Sequence, residues 1–85
     1  MNLIYNSEQY SVVEFNVDRE REALHFGGFE IVDKPSRREI FIGGKLAEHF
    51  RQGVVELIAT EPTMEEIDSF LGQYDALMSQ AVTLH

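Results

Sequence analysis

The hydrophobic period of this chain changes once, at Gly43-Gly44. Before that point apolar residues tend to recur at every second position, and after it they recur at three and four. A period of two belongs to a strand with one buried face, and a period near 3.6 belongs to a helix with one buried stripe. The chain is therefore read as strands over 1–42 followed by helices, which fixes the fold class before any single residue is considered.

Within the first part, Tyr10 to Val17 is the clearest strand, with Val13, Phe15 and Val17 on one face and Glu14 and Asn16 on the other. Leu3-Ile4-Tyr5 is read either as a shorter strand before it, joined by a turn through Asn6-Ser7-Glu8-Gln9, or, like Val82-Thr83-Leu84, as a segment folded over the uncovered sheet face that keeps the protein monomeric. Asp18 to Glu22 is five consecutive charges and reads as a solvated loop. From Ala23 to Lys34 the parity breaks: Leu24 and Phe26 are even, Phe29 and Ile31 odd. One extra residue at Gly27-Gly28, as a β-bulge or bend, would return all four to one face. Asp33-Lys34-Pro35-Ser36-Arg37 carries turn chemistry, and Arg38 to Ile42 returns as a strand with Ile40 and Ile42 facing in.

The second part divides at Pro62. Helix one, over 45–60, carries the stripe Leu46, Phe50, Val54, Leu57 and Ile58, with Gly53 inside it. Thr63-Met64-Glu65-Glu66 has the spacing of a capping box and opens helix two, over 63–79, whose stripe is Met64, Ile67, Phe70, Leu71, Tyr74, Leu77 and Met78. The short connection makes an antiparallel αα-hairpin, and the tail 80–85 either adds an edge strand or docks. The expectation is a single α+β domain over 1–85: an antiparallel sheet of three to four strands, covered on one face by an αα-hairpin, in two layers.

Four segments and the ending carry a family resemblance: Leu3-Ile4-Tyr5-Asn6-Ser7, Gly28-Phe29-Glu30-Ile31-Val32-Asp33, Arg38-Glu39-Ile40-Phe41-Ile42, Glu66-Ile67-Asp68-Ser69-Phe70-Leu71-Gly72 and Val82-Thr83-Leu84-His85. In their order and spacing the chain resembles a family of small beta-proteobacterial proteins of unknown function. The resemblance implies a stand-alone bacterial protein. It brings no activity, substrate or catalytic residue.

Composition narrows the function classes. The absence of cysteine excludes disulfides, thiolate metal sites and cysteine nucleophiles. The net charge of −8 argues against nucleic acid and anionic membranes as partners. No apolar run reaches the ~18–20 residues of a membrane span, and the N-terminus has no signal-peptide pattern, so the expected compartment is cytoplasmic. Charge is unevenly placed: net −5 over 1–33, +3 over 34–53 and −6 over 54–85. The basic stretch (Lys34, Arg37, Arg38, Lys45, Arg51) is read first as internally paired or solvated charge, and second as a contact for an acidic surface such as another copy.

Few residues carry chemistry. His25, His49 and His85 form no metal-ligand spacing, and no metal or cofactor is expected. Gly43-Gly44-Lys45 lacks the remainder of a P-loop and reads as a strand-to-helix turn. Glu65, Glu66, Asp68 and Asp75 read as the solvated face of helix two. No catalytic constellation is apparent. If Val13, Phe15, Phe29, Ile31, Ile40 and Ile42 face the helices, then Tyr10, Val12, Val32 and Phe41 lie on the uncovered side, and Val12, Val32 and Phe41 become the candidate interface. The leading expectation is a non-enzymatic interaction module, homodimeric or bound to another protein. The alternative is a small enzyme or small-molecule binder with a site near His25, Arg37 and Arg38.

Overall fold

The computed structural model describes residues 2–15 and 27–82. Strands β1 (Asn2–Asn6), β2 (Tyr10–Phe15), β3 (Gly28–Asp33) and β4 (Arg38–Gly43) precede helices α1 (Gly44–Ile58), α2 (Met64–Gly72) and α3 (Asp75–Val82). The strands form one antiparallel sheet in the order β1-β2-β3-β4. The helices pack against one face of it, so the fold is the two-layer α+β arrangement that the change of period implies.

Register decides which face is which. Val12 pairs with Ile31, and Ile31 with Ile40; Glu14 pairs with Phe29, and Phe29 with Ile42. Residues directly opposite share a face, so Tyr10, Val12, Phe29, Ile31, Ile40 and Ile42 turn together toward the helices. This corrects the expectation for β2. Val12 is 2% exposed and belongs to the core, whereas Val13 pairs with Glu30 and Phe15 with Gly28 on the other face. Both parities of β2 are apolar, and the long-range pairing with β3 chooses between them. The expected interface residue Val12 is therefore lost to the core; Val32 and Phe41 remain outside.

The β3 ladder runs without a break from Gly28 to Asp33 on both sides. Gly27, just before it, has φ +65 and so turns the chain as only glycine does readily. Leu24 and Phe26, the other half of the expected bend, lie outside the described residues. A shift of register occurs instead in β1, between Leu3 and Tyr5. Leu3 pairs with Val13 and Tyr5 with Val12, so Ile4 is the extra residue, and it lines the helix side.

Phe50 of α1 organises the core, with ring centroids 4.8 Å from Phe29, 5.4 Å from Tyr74 and 5.8 Å from Phe70. The α1 stripe is rotated from the expected one: Ala47 is buried, while Leu46 and Ile58 are exposed. Gly53 lets the Phe70 ring approach, since a Cβ there would stand 3.0 Å from it. The Thr63 capping box forms in full, with Glu66 N–H donating to Thr63 Oγ1 at 3.2 Å and Thr63 N–H to Glu66 Oε1 at 2.9 Å. Met64, expected in the stripe, is exposed.

Helix two is not continuous over 63–79. It breaks at Gln73-Tyr74, where Gln73 N–H donates to Phe70 O and Tyr74 N–H to Leu71 O in tighter i to i−3 bonds. Gly72 weakens the helix there. Asp75 restarts it, with its carboxylate in the first turn and bonded by the Tyr10 hydroxyl at 3.0 and 3.1 Å. The chain stays helical to Val82, and the rest of the tail, 83–85, lies outside the described residues.

Candidate functional site

The sheet face away from the helices is not used by the core. Its rows follow from register. One row holds Phe15, Gly28 and Gly43; the next Leu3, Val13, Glu30 and Phe41; the next Asn6, Ser11, Val32 and Glu39. Phe41 leans over its neighbouring row: a Cβ on Gly28 would stand 2.5 Å from the tip of its ring, and one on Gly43 3.3 Å away. Phe15 meets the same ring edge-on, with centroids 5.5 Å apart. Glycine beneath an aromatic ring is a packing device of sheets, in which the ring covers backbone that has no side chain. Even so covered and packed, Phe41 is 59% exposed, and Leu3 at the sheet edge is 61% exposed.

Two carboxylates interrupt this apolar face. Glu30 stands between Val13 and Phe41, and Glu39 hydrogen-bonds to it from β4. Desolvation by its neighbours, then the charge of Glu39, hold the Glu30 carboxyl above its usual range. At the turn end of the face, Lys34 continues the β2–β3 pairing, with its N–H on Gln9 O at 2.9 Å. Its ammonium donates to Asn6 Oδ1 and, at 2.6 Å, to Ser7 O.

The sequence-predicted residues fall in different places. Val32 and Phe41 sit on the open face, joined there by Leu3 of β1 and by Val13 and Phe15 of β2, the two residues that alternation alone assigns to the helix side. His25 lies outside the described residues. Arg37 occupies the β3–β4 turn with φ +59, and Arg38 binds Asp33 at 3.4 Å and Ser36 Oγ at 2.9 Å. Arg51 stacks over the Phe29 ring at 4.9 Å and pairs with Glu14 at 3.0 Å. Much of the basic stretch is thus held internally. His49 is exposed on α1.

Asp68 and Asp75 differ from the solvated role expected of them. Asp68 Oδ1 accepts from Tyr5 Oη at 2.8 Å and from Ser7 Oγ at 2.9 Å. With the Tyr10–Asp75 bond, this fastens the β1–β2 hairpin to α2 and α3. Burial, then Asp75, pushes the Tyr10 phenol up to about 12. No periodicity marks these acids in the sequence, because each partner lies more than sixty residues away.

An apolar cleft of about 80 Å³ opens between β1, α1 and α2, lined among others by Ile4, Val12, Val54 and Ile67. It falls well below the ~300 Å³ at which ligand pockets begin. Among the described residues no group of three or more histidines or acids could hold a metal ion, and no helix is long and apolar enough to cross a membrane.

A protein of Burkholderia thailandensis, a beta-proteobacterium, carries the name Protein BTH_I0359 and is 54% identical over 85 residues, the full length of both chains. No solved structure matches this chain. Residues 1–85 match throughout the family described as "Protein of unknown function (DUF3567)", and the chain belongs to that family.

Proposed function

We propose that this chain is a non-enzymatic protein-interaction module of the bacterial cytoplasm, and that it acts as a homodimer through its open sheet face. The observation that carries the reading is Phe41, held in place by Gly28 and Phe15 and still more than half exposed. A fixed aromatic ring on a sheet face loses little side-chain freedom on association, and aromatic anchors contribute strongly at interfaces. Four strands at ~4.8 Å and six residues at ~3.3 Å give a face of roughly 400 Å² in projection. That lies within the ~300–600 Å² of the largest patch on an ordinary monomer and falls short of the ~800 Å² per partner of a standard interface, so the anchor rather than the area supports association. The dimer is expected to be weak, with micromolar dissociation. The alternative site near His25, Arg37 and Arg38 draws no support from Arg38, which is engaged by Asp33 and Ser36.

Sedimentation equilibrium between about 1 and 100 μM tests the reading. A concentration-dependent dimer that Phe41→Glu converts to a folded monomer supports it. A parent protein that stays monomeric across that range, or a dimer indifferent to Phe41→Glu, overturns it.

A further inference from the structure

Among the described residues the open face carries acids within its apolar rows and the Lys34 cation only beyond their end, so the way it could meet a copy of itself is restricted. Two sheets packed face to face keep their strands aligned when the two-fold axis lies between them and runs either along the strands or across them. An axis across the strands sets each strand on its own copy. Through the row of Leu3, Val13, Glu30 and Phe41 it would oppose Glu30 to Glu30, two carboxylates with no cation in that row. An axis along the strands, midway between β2 and β3, exchanges β1 with β4 and β2 with β3. Leu3 then meets the partner's Phe41, Val13 meets the partner's Glu30, and Asn6 meets the partner's Glu39. Asn6 is where the Lys34 ammonium is held, so each cation comes to lie against the other copy's Glu39.

We propose that the dimer forms about the axis along the strands, with Lys34 of each copy paired to Glu39 of the other. This rests on the homodimer reading above and adds the geometry that makes the face self-complementary. Lys34 is positioned for it before association, because its ammonium is already bound to Asn6 and the Ser7 carbonyl. Glu39 is exposed and points to the same side as Glu30 and Phe41.

The test is a charge exchange between separate chains. Lys34→Glu places two acid–acid contacts in the dimer, and Glu39→Lys places two base–base contacts. Each variant alone is expected to dimerise about tenfold more weakly than the parent, at salt near 50 mM. In an equal mixture both contacts are opposite in charge again, so heterodimer should form with an affinity within about threefold of the parent. A mixture that associates no better than either variant overturns the axis. Circular dichroism confirms that each variant is folded. A second measurement avoids the charges. The axis along the strands separates the two copies of β1 by three strand spacings, roughly 14 Å. Leu3→Cys, the only thiol in a chain without cysteine, should then form no intermolecular disulfide under mild oxidation. Ready cross-linking would favour the axis across the strands and overturn the proposal. If Phe41→Glu leaves the parent dimer intact, the face itself is wrong. If Phe41→Glu dissociates it but the charge exchange fails, only the axis is wrong.

Discussion

The ring of Phe41 lies directly over Gly28, so closely that a Cβ at Gly28 would stand 2.5 Å from its Cζ and 2.7 Å from the carbonyl oxygen of Ile42. The ring could swing away, but the backbone carbonyl cannot without shifting β4. Gly28→Ala is expected to destabilise the fold by ~1–3 kcal/mol, the usual cost of overpacking. It should also weaken dimerisation, because it dislodges the aromatic anchor. Denaturant midpoints and sedimentation check the two effects, and a variant as stable as the parent counts against the close contact.

Thr63 offers a more local test. Its hydroxyl accepts the Glu66 N–H while the Glu66 carboxylate accepts the Thr63 N–H. Thr63→Ala removes one of these bonds and should lower stability by ~0.5–2 kcal/mol with no change of fold. An unchanged urea midpoint would sink the idea.

The cap was legible because it is local: three residues of spacing and a following apolar run define it. The β3–β4 hairpin was legible for the same reason. The face of β2 was not, since Tyr10 and Val12 compete with Val13 and Phe15, and only pairing with Phe29 and Ile31 of β3 decides the outcome. The extra residue at Ile4 carries no glycine or proline to announce it. The clasps of Asp68 and Asp75 depend on hydroxyls from the far end of the chain. The candidate face was therefore half legible: Val32 and Phe41 followed from the alternation of their own strands, whereas Leu3, Val13 and Phe15 required the register.

Tyr10 links stability to alkaline pH. Its phenol is raised from 10.0 to about 12, first by burial and then by Asp75. The fold therefore favours the protonated form. That contribution is complete below pH 10 and is lost as pH rises from there through about 12. Tyr10→Phe removes the bond to Asp75, at a cost of roughly 1–3 kcal/mol near neutrality. The gap between parent and variant should narrow above pH 10. Thermal melts at pH 7, 10 and 11 measure it, and a constant gap would contradict the assignment.

Glu30 gives the opposite end of the scale. Its carboxyl is raised from 4.5 by desolvation, then by the charge and hydrogen bond of Glu39 on β4. Protonation is thus favoured in the fold, so this contribution is present at low pH and declines as pH rises from 4.5 through the raised value. Glu30→Gln cannot ionise and should be insensitive to that window. Relative to the parent it should gain stability between pH 4 and pH 7. Dimerisation should follow the same direction, because the two-fold places Glu30 against the apolar Val13 of the partner. Midpoints that shift equally with pH in both proteins would rule this out.

Val12 and Phe41 make the sharpest comparison, because simple alternation put both on the open face and the register separates them. Val12 is 2% exposed beneath the helices, whereas Phe41 is 59% exposed on the other side. A carboxylate at position 12 would be buried without a partner, at a cost of several kcal/mol against a total stability of ~4–13 kcal/mol for a chain of this length. Val12→Glu should therefore abolish cooperative unfolding. Among the described residues Phe41→Glu loses the contact with Phe15 and the cover over Gly28 and Gly43, roughly 1–2 kcal/mol, and should remain folded while its sedimentation shifts to the monomer. Circular dichroism with thermal melts, run beside sedimentation, reads both variants. A folded Val12→Glu would overturn the register of β2 on β3. A Phe41→Glu that unfolds as completely as Val12→Glu would place its ring in the core rather than on a free face.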